Sequence, residues 1–195
     1  MTDRPYVLLV RCSPRRGGNS DALADAFAEG ARGAGAEVVE LALRDLDYAG
    51  CVECHGCDKT GVCVVRDDFV ERVLPHLDSA AGVALVTPVF FMGWPSHAKA
   101  MIDRCQCVWA RHWLLGSGRP PATRPGYLLA VGATGFKYTF DAVKTVRDAF
   151  FLVLGVKNAG ELLAPKIDAN GEAAADAALV QRARELGAEA ARTSR

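Results

Sequence analysis

The chain has 195 residues, and 23 basic side chains balance 23 acidic ones, so its formal net charge is zero. Half of the residues are hydrophobic, which is enough for one domain with a substantial core, here expected over 1–195. The neutral charge and the lack of a basic stripe disfavour nucleic acid or a membrane surface as a partner. No apolar run in the sequence approaches the length of a membrane-spanning helix.

The number of cysteines and the start of the sequence indicate the cellular compartment. Residues 1–10 are a charged start followed by an apolar run that is too short for a signal peptide. Seven cysteines without a secretion signal predict a reducing compartment, and we expect a cytoplasmic protein. In that setting the cysteines are thiols, metal ligands or redox groups rather than a disulfide framework.

The hydrophobic pattern predicts strands that alternate with helices. Five runs have the character of strands buried in a parallel sheet: residues 6–10, 38–41, 82–86, 127–131 and 156–163. Five segments have helical periodicity: residues 21–32, a segment from 67 or 68 to 77, and residues 96–113, 140–154 and 173–192. Pro75 is expected to shorten or bend the second of these helices. Ser96 is expected to cap the third. This alternation indicates an α/β protein, in which ligands bind beyond the carboxyl ends of the strands.

The loop after the first predicted strand, residues 13–20, is rich in glycine and hydroxyl side chains and runs into a helix. Backbone N–H groups at such a helix start favour an anion. Ser13, Asn19 and Ser20 offer further donors, and Arg15 or Arg16 can add positive charge. The loop matches neither the Walker nor the dinucleotide-binding glycine pattern. An ordinary polar turn with a capping serine explains the same residues.

Four cysteines fall within thirteen residues of a segment, 43–66, that has no periodic element. They are Cys51, Cys54, Cys57 and Cys63. A thiol at every third position lets a short loop bring its sulfurs to one centre, which suits an iron–sulfur cluster or a soft metal ion. A four-thiolate zinc site is one such alternative. Free thiols are the remaining alternative. The other three cysteines, Cys12, Cys105 and Cys107, lie outside this spacing, and we expect them to be buried thiols.

The loop after the third predicted strand carries Phe90, Phe91, Met92 and Trp94. Stacking on a flat conjugated ligand would explain four such side chains in one loop, as would a hydrophobic oligomer interface. The glycines of residues 132–135 could let the backbone approach the same ligand. Lys99 and Asp103 are one helical turn apart and are expected to form a surface pair.

Taken together, these motifs resemble the NAD(P)H-dependent FMN reductase superfamily. The resemblance rests on Ser13-Pro14-Arg15, Gly18-Asn19-Ser20, the four-cysteine run ending in Asp67-Asp68, Pro88-Val89-Phe90-Phe91, residues 99–104, residues 132–135, Phe140-Asp141 and Asn170-Gly171-Glu172. The compact cysteine run is similar to that of the iron–sulfur flavoproteins within this superfamily. The resemblance implies a flavodoxin-like three-layer sandwich, a five-stranded parallel sheet of order 2-1-3-4-5, and one FMN per subunit.

The resemblance also implies roles for individual residues. The FMN phosphate would be held by Ser13, Arg15, Asn19 and Ser20. The isoalloxazine would be lined by Pro88, Val89, Phe90, Phe91, Met92, Gly93 and Trp94. The third side would be closed by Ala133, Thr134 and Gly135. A 4Fe-4S cluster would be bound by Cys51, Cys54, Cys57 and Cys63.

The function implied is an FMN-dependent oxidoreductase that passes electrons between NAD(P)H, or a ferredoxin-like donor, and a quinone or other small acceptor. No side chain is expected to act as acid or base, because the chemistry belongs to the flavin. Members of this superfamily are commonly homodimers or homotetramers with the flavin at a subunit interface. Two other functions fit the same residues: a non-catalytic electron carrier of the flavodoxin type, and a redox or metal sensor built on the cysteines.

Overall fold

A computed structural model describes residues 4–116 and 118–194. Its sheet is built from β1 (Tyr6–Arg11), β2 (Glu37–Ala42), β3 (Gly82–Pro88), β4 (Arg124–Gly132) and β5 (Val156–Pro165). All neighbouring strands are parallel, and their order is β2-β1-β3-β4-β5. The predicted α/β class and flavodoxin-like strand order are therefore confirmed.

Helices cover both faces of the sheet. In the described residues they are α1 (Asn19–Gly33), α2 (Leu74–Ser79), α3 (Ser96–Arg104), α4 (Gln106–Trp113), α5 (Asp141–Leu154), α6 (Glu172–Ala175) and α7 (Ala177–Thr193). Alternate residues of β1 separate the two layers: Val7 and Leu9 pack with α1, α6 and α7, whereas Leu8 and Val10 pack with α2 to α5. No helix within 4–116 or 118–194 combines the length and hydrophobicity needed to cross a bilayer.

The layer formed by α1 and α7 depends on two glycines. A Cβ atom at Gly30 would lie 1.9 Å from the backbone oxygen of Arg184, and one at Gly187 would lie 2.0 Å from that of Phe27. Only residues without a side chain allow the two backbones to approach this closely. The position of α1, whose N-terminus faces the carboxyl edge of the sheet, is thereby fixed against α7.

The predicted helix over 96–113 is wrong in two respects. It is interrupted at Cys105, where the chain turns and the Cys105 N–H bonds to Ile102 O at 3.0 Å. Positions two apart on one helix do not share a face, so the interruption lets both Cys105 and Cys107 enter the core. Ser96 is not a cap, because it is the first helical residue and its side chain makes no capping bond.

Two other helices also differ from the prediction. The predicted helix over 173–192 is broken at Asp176, whose side chain accepts from Ala178 and Leu179 N–H and caps α7. The segment after Asp67 begins with one π-helical turn, Phe69–Val73, before α2. Pro75 stands in the first turn of α2, and because it has no N–H it cannot continue a regular hydrogen-bond ladder through this segment.

Candidate functional site

A groove that is partly open to solvent lies at the carboxyl edge of the sheet. The loops after β1, β3, β4 and β5 form its walls. It is lined by Ser13, Arg15, Gly18, Asn19, Ser20, Pro88, Val89, Phe90, Val131, Ala133, Ile167, Asp168 and Asn170. Eight of the predicted FMN residues thus come together here, from three separate loops.

One end of the groove is suited to an anion. Gly18 is the N-cap residue of α1, and no side chain in the described chain caps this end. Ala22 N–H is the first to bond back into the helix, to Gly18 O at 3.1 Å, so the preceding N–H groups lack intrahelical partners. The buried Ser13 and Ser20 and the exposed Arg15 line the same groove. These groups together offer donors and positive charge to a phosphate.

The shape of this anion loop depends on two residues that the sequence did not single out. The carboxylate of Asp21 is buried and accepts from Gly17 N–H at 2.8 Å. It also pairs with Arg44, whose Nη1 donates to the carbonyl oxygens of Ser13 and Arg15, each at 3.2 Å. An acidic residue in a first helical turn is common, and no pattern in the sequence indicates that this one has a basic partner 23 positions away.

The two arginines of the loop have different surroundings. Arg16 is exposed and forms an ion pair with Asp45 on the outer surface. Arg15 lines the groove. The sequence left either arginine as the source of positive charge, and the structure places Arg15 in that position.

The side-chain amide of Asn19 bonds to the protein backbone, although the sequence predicted that it would bind a phosphate. Its side-chain Nδ2 donates to Ala169 O at 2.8 Å, and its Oδ1 accepts from the N–H groups of Gly171 and Ala173, both at 3.1 Å. The amide therefore fastens the loop after β5 to the start of α1. That loop brings Asp168 and Asn170 into the groove, two lining residues that were not among the predicted site residues.

The aromatic loop after β3 contributes less to the groove than predicted. Phe90 and Gly93 exchange two backbone hydrogen bonds of 3.0 and 2.8 Å and close a tight turn. Between them Phe91 and Met92 have φ of +47° and +62°, a left-handed conformation that is strained for such residues. The turn leaves Phe91 fully exposed. Phe91, Met92 and Gly93 do not line the groove, and their contact with a ring stays a prediction.

Trp94 is buried in the core, where its Nε1 donates to Val143 O at 3.1 Å. The structure therefore does not bring this predicted ring-lining residue to the groove. An indole N–H needs a partner when it is buried, and the backbone of α5 supplies one.

The loop after β4 contributes Ala133 to the groove, whereas its neighbours stabilise the loop. Thr134 and Thr139 share a hydrogen bond of 2.9 Å between their hydroxyls. A Cβ atom at Gly135 would lie 2.6 Å from the Lys166 side chain. Thr134 and Gly135 thus set the course of the backbone next to the groove.

The four clustered cysteines line a second, smaller cavity. The other residues of its lining are Glu53, His55, Asp58, Val64, Arg104, Gln106 and Cys107. Cys51 and Cys54 are exposed, and Cys57 and Cys63 are half-buried. Glu53 and His55 have φ of +52° and +58°, which turns the chain twice between Cys51 and Cys57.

These thiols share a cavity but are not arranged around the position of a single metal ion. Within the part of the chain that the structure describes, no three His, Cys, Asp or Glu side chains are placed to hold a metal ion. The donor set itself is of the kind that iron–sulfur clusters and zinc take, four thiols from one short loop. The residues therefore fit such a group by their chemistry.

The cysteines outside the run are buried, as predicted. Cys107 nevertheless lines the cysteine cavity as a fifth thiol and donates to Arg104 O at 3.3 Å. Burial, together with the nearby Cys63, raises the pKa of Cys107 to about 11. The predicted surface pair of Lys99 and Asp103 is confirmed, with Nζ 2.7 Å from Oδ1.

Arg104, at the end of α3, is the buried cation of this cavity. Its Nη1 lies 2.6 Å from Asp67 Oδ2, and its Nη2 lies 3.3 Å from Cys63 Sγ. Burial alone would raise the pKa of Asp67, but the hydrogen bonds and charge of Arg104 outweigh it and lower that pKa below its ordinary value. The sequence contained Arg104 only as part of a motif and gave no indication of these contacts.

A family model described as NADPH-dependent FMN reductase matches residues 5–167. The chain belongs to this family. The match includes every loop that lines the groove up to Ile167, as well as the whole cysteine run. The family resemblance expected from the motifs is thereby confirmed.

Individual relatives agree with this membership. An iron–sulfur flavoprotein of Methanosarcina thermophila is 26% identical over 122 residues, which are 63% of this chain and 60% of the relative. An iron–sulfur flavoprotein of Methanocaldococcus jannaschii is 31% identical over 98 residues, half of each chain. The matched part of this FMN reductase family member thus spans 50–60% of the length of these curated relatives.

Solved structures share the fold. An NAD(P)H:quinone oxidoreductase from Methanothermobacter marburgensis superposes with a TM-score of 0.71 at 17% identity, over 95% of this chain and 96% of that one. At this identity the likeness concerns the fold alone.

The groove of this FMN reductase family member fits FMN by its own chemistry. The donors of the anion loop suit a phosphate, and the carboxylate and amide of Asp168 and Asn170 suit the hydroxyls of a ribityl chain. Pro88, Val89 and Phe90 provide an apolar wall for a ring. One groove therefore offers the three kinds of contact that the three parts of the cofactor need.

Proposed function

We propose that this protein is an FMN-dependent oxidoreductase that takes electrons from NAD(P)H, or from a ferredoxin-like donor, and passes them to a quinone or another small acceptor. The observation that carries the proposal is the groove. It has an uncapped helix start and Arg15 at one end and an apolar wall at the other. Membership of the NADPH-dependent FMN reductase family supports the proposed cofactor and the direction of electron flow.

In this proposal the side chains bind and orient the cofactor, and none acts as acid or base. The N–H groups of α1, the hydroxyls of Ser13 and Ser20, and Arg15 hold the phosphate. Bound FMN supplies the hydride and one-electron chemistry. Phe90 and Phe91 are both exposed to solvent, so a ring bound against Pro88, Val89 and Phe90 would be accessible to a second reactant.

We also propose that Cys51, Cys54, Cys57 and Cys63 hold a 4Fe-4S cluster. The support is their shared cavity and the name iron–sulfur flavoprotein carried by the relatives. Such a cluster supplies single-electron transfer. The two strained turns at Glu53 and His55 let the short loop direct sulfurs from both of its ends towards one volume.

Exposed aromatic side chains beside the groove support a homodimer or homotetramer as the working form. Phe91, Phe136 and Tyr138 are at least half exposed, and the rings of Phe136 and Tyr138 stack with centroids 5.4 Å apart. Exposed aromatic groups of this kind commonly mark protein interfaces. Light scattering on wild type and on Phe91→Ser measures the subunit number, and we expect the substitution to lower it.

The test of the main proposal is anaerobic mixing of the FMN-loaded protein with NADH or NADPH in a stopped-flow instrument. Loss of the yellow flavin absorbance within seconds, followed by its return when a quinone is added, is the expected result. A flavin that stays oxidised with both nucleotides, yet is reduced by a reduced ferredoxin, would make the protein an electron carrier. Protein that takes up no FMN would exclude both functions and leave a cysteine-based sensor.

Iron and acid-labile sulfide analysis of anaerobically purified protein tests the cluster independently of the flavin. We expect about four of each per chain and a broad brown absorbance, as a 4Fe-4S cluster requires. Zinc in place of iron would identify a four-thiolate zinc site. Metal-free protein after reconstitution with iron and sulfide would show that the four cysteines are free thiols.

A further inference from the structure

Arg104 connects both ends of the cysteine loop. Its Nη1 donates to Ala49 O at 3.0 Å, two residues before Cys51, and its Nη2 donates to Val65 O at 3.2 Å, two residues after Cys63. The same Nη2 lies 3.3 Å from Cys63 Sγ. One side chain from α3 thus contacts the backbone on either side of the run and one of its sulfurs.

We propose that Arg104 is the positioning residue of the cysteine site: it holds the two ends of the loop and the Cys63 sulfur together, and it provides the positive charge that balances a bound thiolate centre. This inference rests on the proposed role of the four cysteines as ligands. It adds a residue that lies outside the run itself and that contributes no ligand atom.

The surroundings of Arg104 keep it in place and charged. Asp67 accepts from both terminal nitrogens, at 2.6 and 3.1 Å, and the guanidinium carbon lies 4.8 Å from the centre of the Phe69 ring. The planar fork of an arginine can make several such bonds at once, which a lysine cannot. The remaining donor, Nε, is buried without a partner in the described chain. Arg104 therefore has one unused N–H group to which a bound acceptor could hydrogen-bond.

Two substitutions separate a charge effect from a purely structural one. Hydrogen bonds to the sulfurs and the net charge nearby set the reduction potential of a thiolate-bound iron–sulfur centre. Arg104→Gln removes a donor and a positive charge, so the potential should become more negative. Asp67→Asn removes the neutralising carboxylate and leaves the cation next to Cys63, so the potential should become more positive.

Loss of positioning should also weaken assembly. Residues that orient metal ligands commonly contribute about tenfold to a hundredfold in metal affinity, so we expect Arg104→Gln to need at least about tenfold more iron for half-loading. Arg104→Lys, which keeps the charge but lacks the fork, should recover the potential and only part of the affinity. Arg72→Gln is the matched control, because Arg72 is exposed and pairs with the neighbouring Asp68 at 3.4 Å.

The experiment loads the full chain with FMN, reconstitutes it anaerobically with iron and sulfide, and follows iron content, FMN content and the midpoint potential by EPR-monitored titration. Unchanged FMN content and circular dichroism show that each variant is folded. We expect opposite shifts of potential for Arg104→Gln and Asp67→Asn, and none for Arg72→Gln. If Arg104→Gln does not load at all while Arg72→Gln does, positioning is supported and Asp67→Asn decides the charge effect.

Three results would overturn the inference. If Arg104→Gln loads and titrates like wild type, Arg104 has no role at the site although the cysteines do bind. If both substitutions shift the potential in the same direction, the charge of Arg104 is not what balances the centre. If wild-type protein takes up neither iron nor sulfide, the proposed role of the cysteines fails, and the inference about Arg104 fails with it.

Discussion

The carboxylate of Asp21 accepts a hydrogen bond of 2.8 Å from the backbone N–H of Gly17 and, from its other side, pairs with Arg44. Neither Asp21 nor Arg44 lines the groove, yet together they hold the backbone that does. Gly17 has φ of +65°, a conformation that favours glycine. The anion site is therefore built by a charged pair placed behind it.

Asp21→Asn should weaken FMN binding although Asp21 does not line the groove. The change removes a buried charge and leaves Arg44 without its partner, and hydrogen bonds to charged groups contribute about 1.5–3 kcal/mol. We expect FMN to bind about tenfold to a hundredfold more weakly, measured by flavin fluorescence quenching. Asp45→Asn is the control, because Asp45 pairs with the exposed Arg16 of the anion loop, and it should leave the affinity near that of wild type.

Asn19→Ala should loosen the loop after β5 and thereby weaken FMN binding, with no effect on metal content. In the described chain, the Asn19 amide makes three hydrogen bonds, and each goes to the backbone of residues 169–173. Hydrogen exchange of that segment should become faster in the FMN-free variant. Unchanged exchange together with weaker FMN binding would instead mean that the amide contacts the phosphate directly.

The strands and the first loop could be predicted from the sequence, because their signals are local. Residues 6–10 are apolar without interruption, and residues 13–20 carry their donors in consecutive positions. The Asp21–Arg44 pair could not be predicted, since both residues have ordinary surface character in the sequence and meet only when β2 lies beside β1. The anion loop was thus predictable in its donors but not in its supports.

The aromatic loop shows a different limit. Four large apolar side chains in one loop predicted either a flat ligand or an oligomer interface, but the tight turn at Phe91 and Met92 sends these side chains in different directions. Trp94 enters the core and Phe91 enters solvent. Hydrophobicity is the same for a core, an interface and a ring site, so composition alone could not distinguish these destinations.

Cys54→Ser and Cys107→Ser should differ in their effect on metal. Cys54 is exposed in the short loop, and its loss should remove the brown absorbance and most of the iron while FMN stays bound. Cys107 lies in a helix at the base of the same cavity, and its thiol already donates to Arg104 O at 3.3 Å. Serine can make the same bond, so iron content should remain near wild type. Equal loss of iron in both variants would make Cys107 a ligand.

Gly30→Ala should destabilise the fold, whereas Gly33→Ala in the same helix should not. A methyl group at Gly30 would meet the Arg184 backbone oxygen at 1.9 Å, but nothing lies within 4 Å of a methyl group at Gly33. Overpacking of this kind costs about 1–3 kcal/mol, and an unhindered alanine in a helix gains up to about 1 kcal/mol. Urea unfolding of the two variants measures both changes. Equal free energies of unfolding for the two variants would mean that α1 and α7 can move apart without destabilising the fold.

Asp67 should make the stability of the protein depend on pH only in strongly acidic solution. Its pKa in the fold is lowered from the ordinary 3.8, because the bonds and charge of Arg104 outweigh the opposing effect of burial. A carboxyl group with a lowered pKa stabilises the fold at pH values above its unfolded pKa, and this contribution is lost as the pH falls through the lowered, folded value. The free energy of unfolding of wild type should therefore exceed that of Asp67→Asn by a constant amount from pH 7 down to about 4.

Urea unfolding of both proteins across this range gives the test. Removing one partner of a buried pair costs about 3–5 kcal/mol, so the difference at pH 7 should be of that order and should shrink below pH 3.8. Asp68→Asn is the control, since Asp68 pairs with the exposed Arg72 and surface pairs contribute at most about 1 kcal/mol. A wild-type advantage that is already lost at pH 5 would show that Asp67 is protonated far more easily than its contact with Arg104 allows.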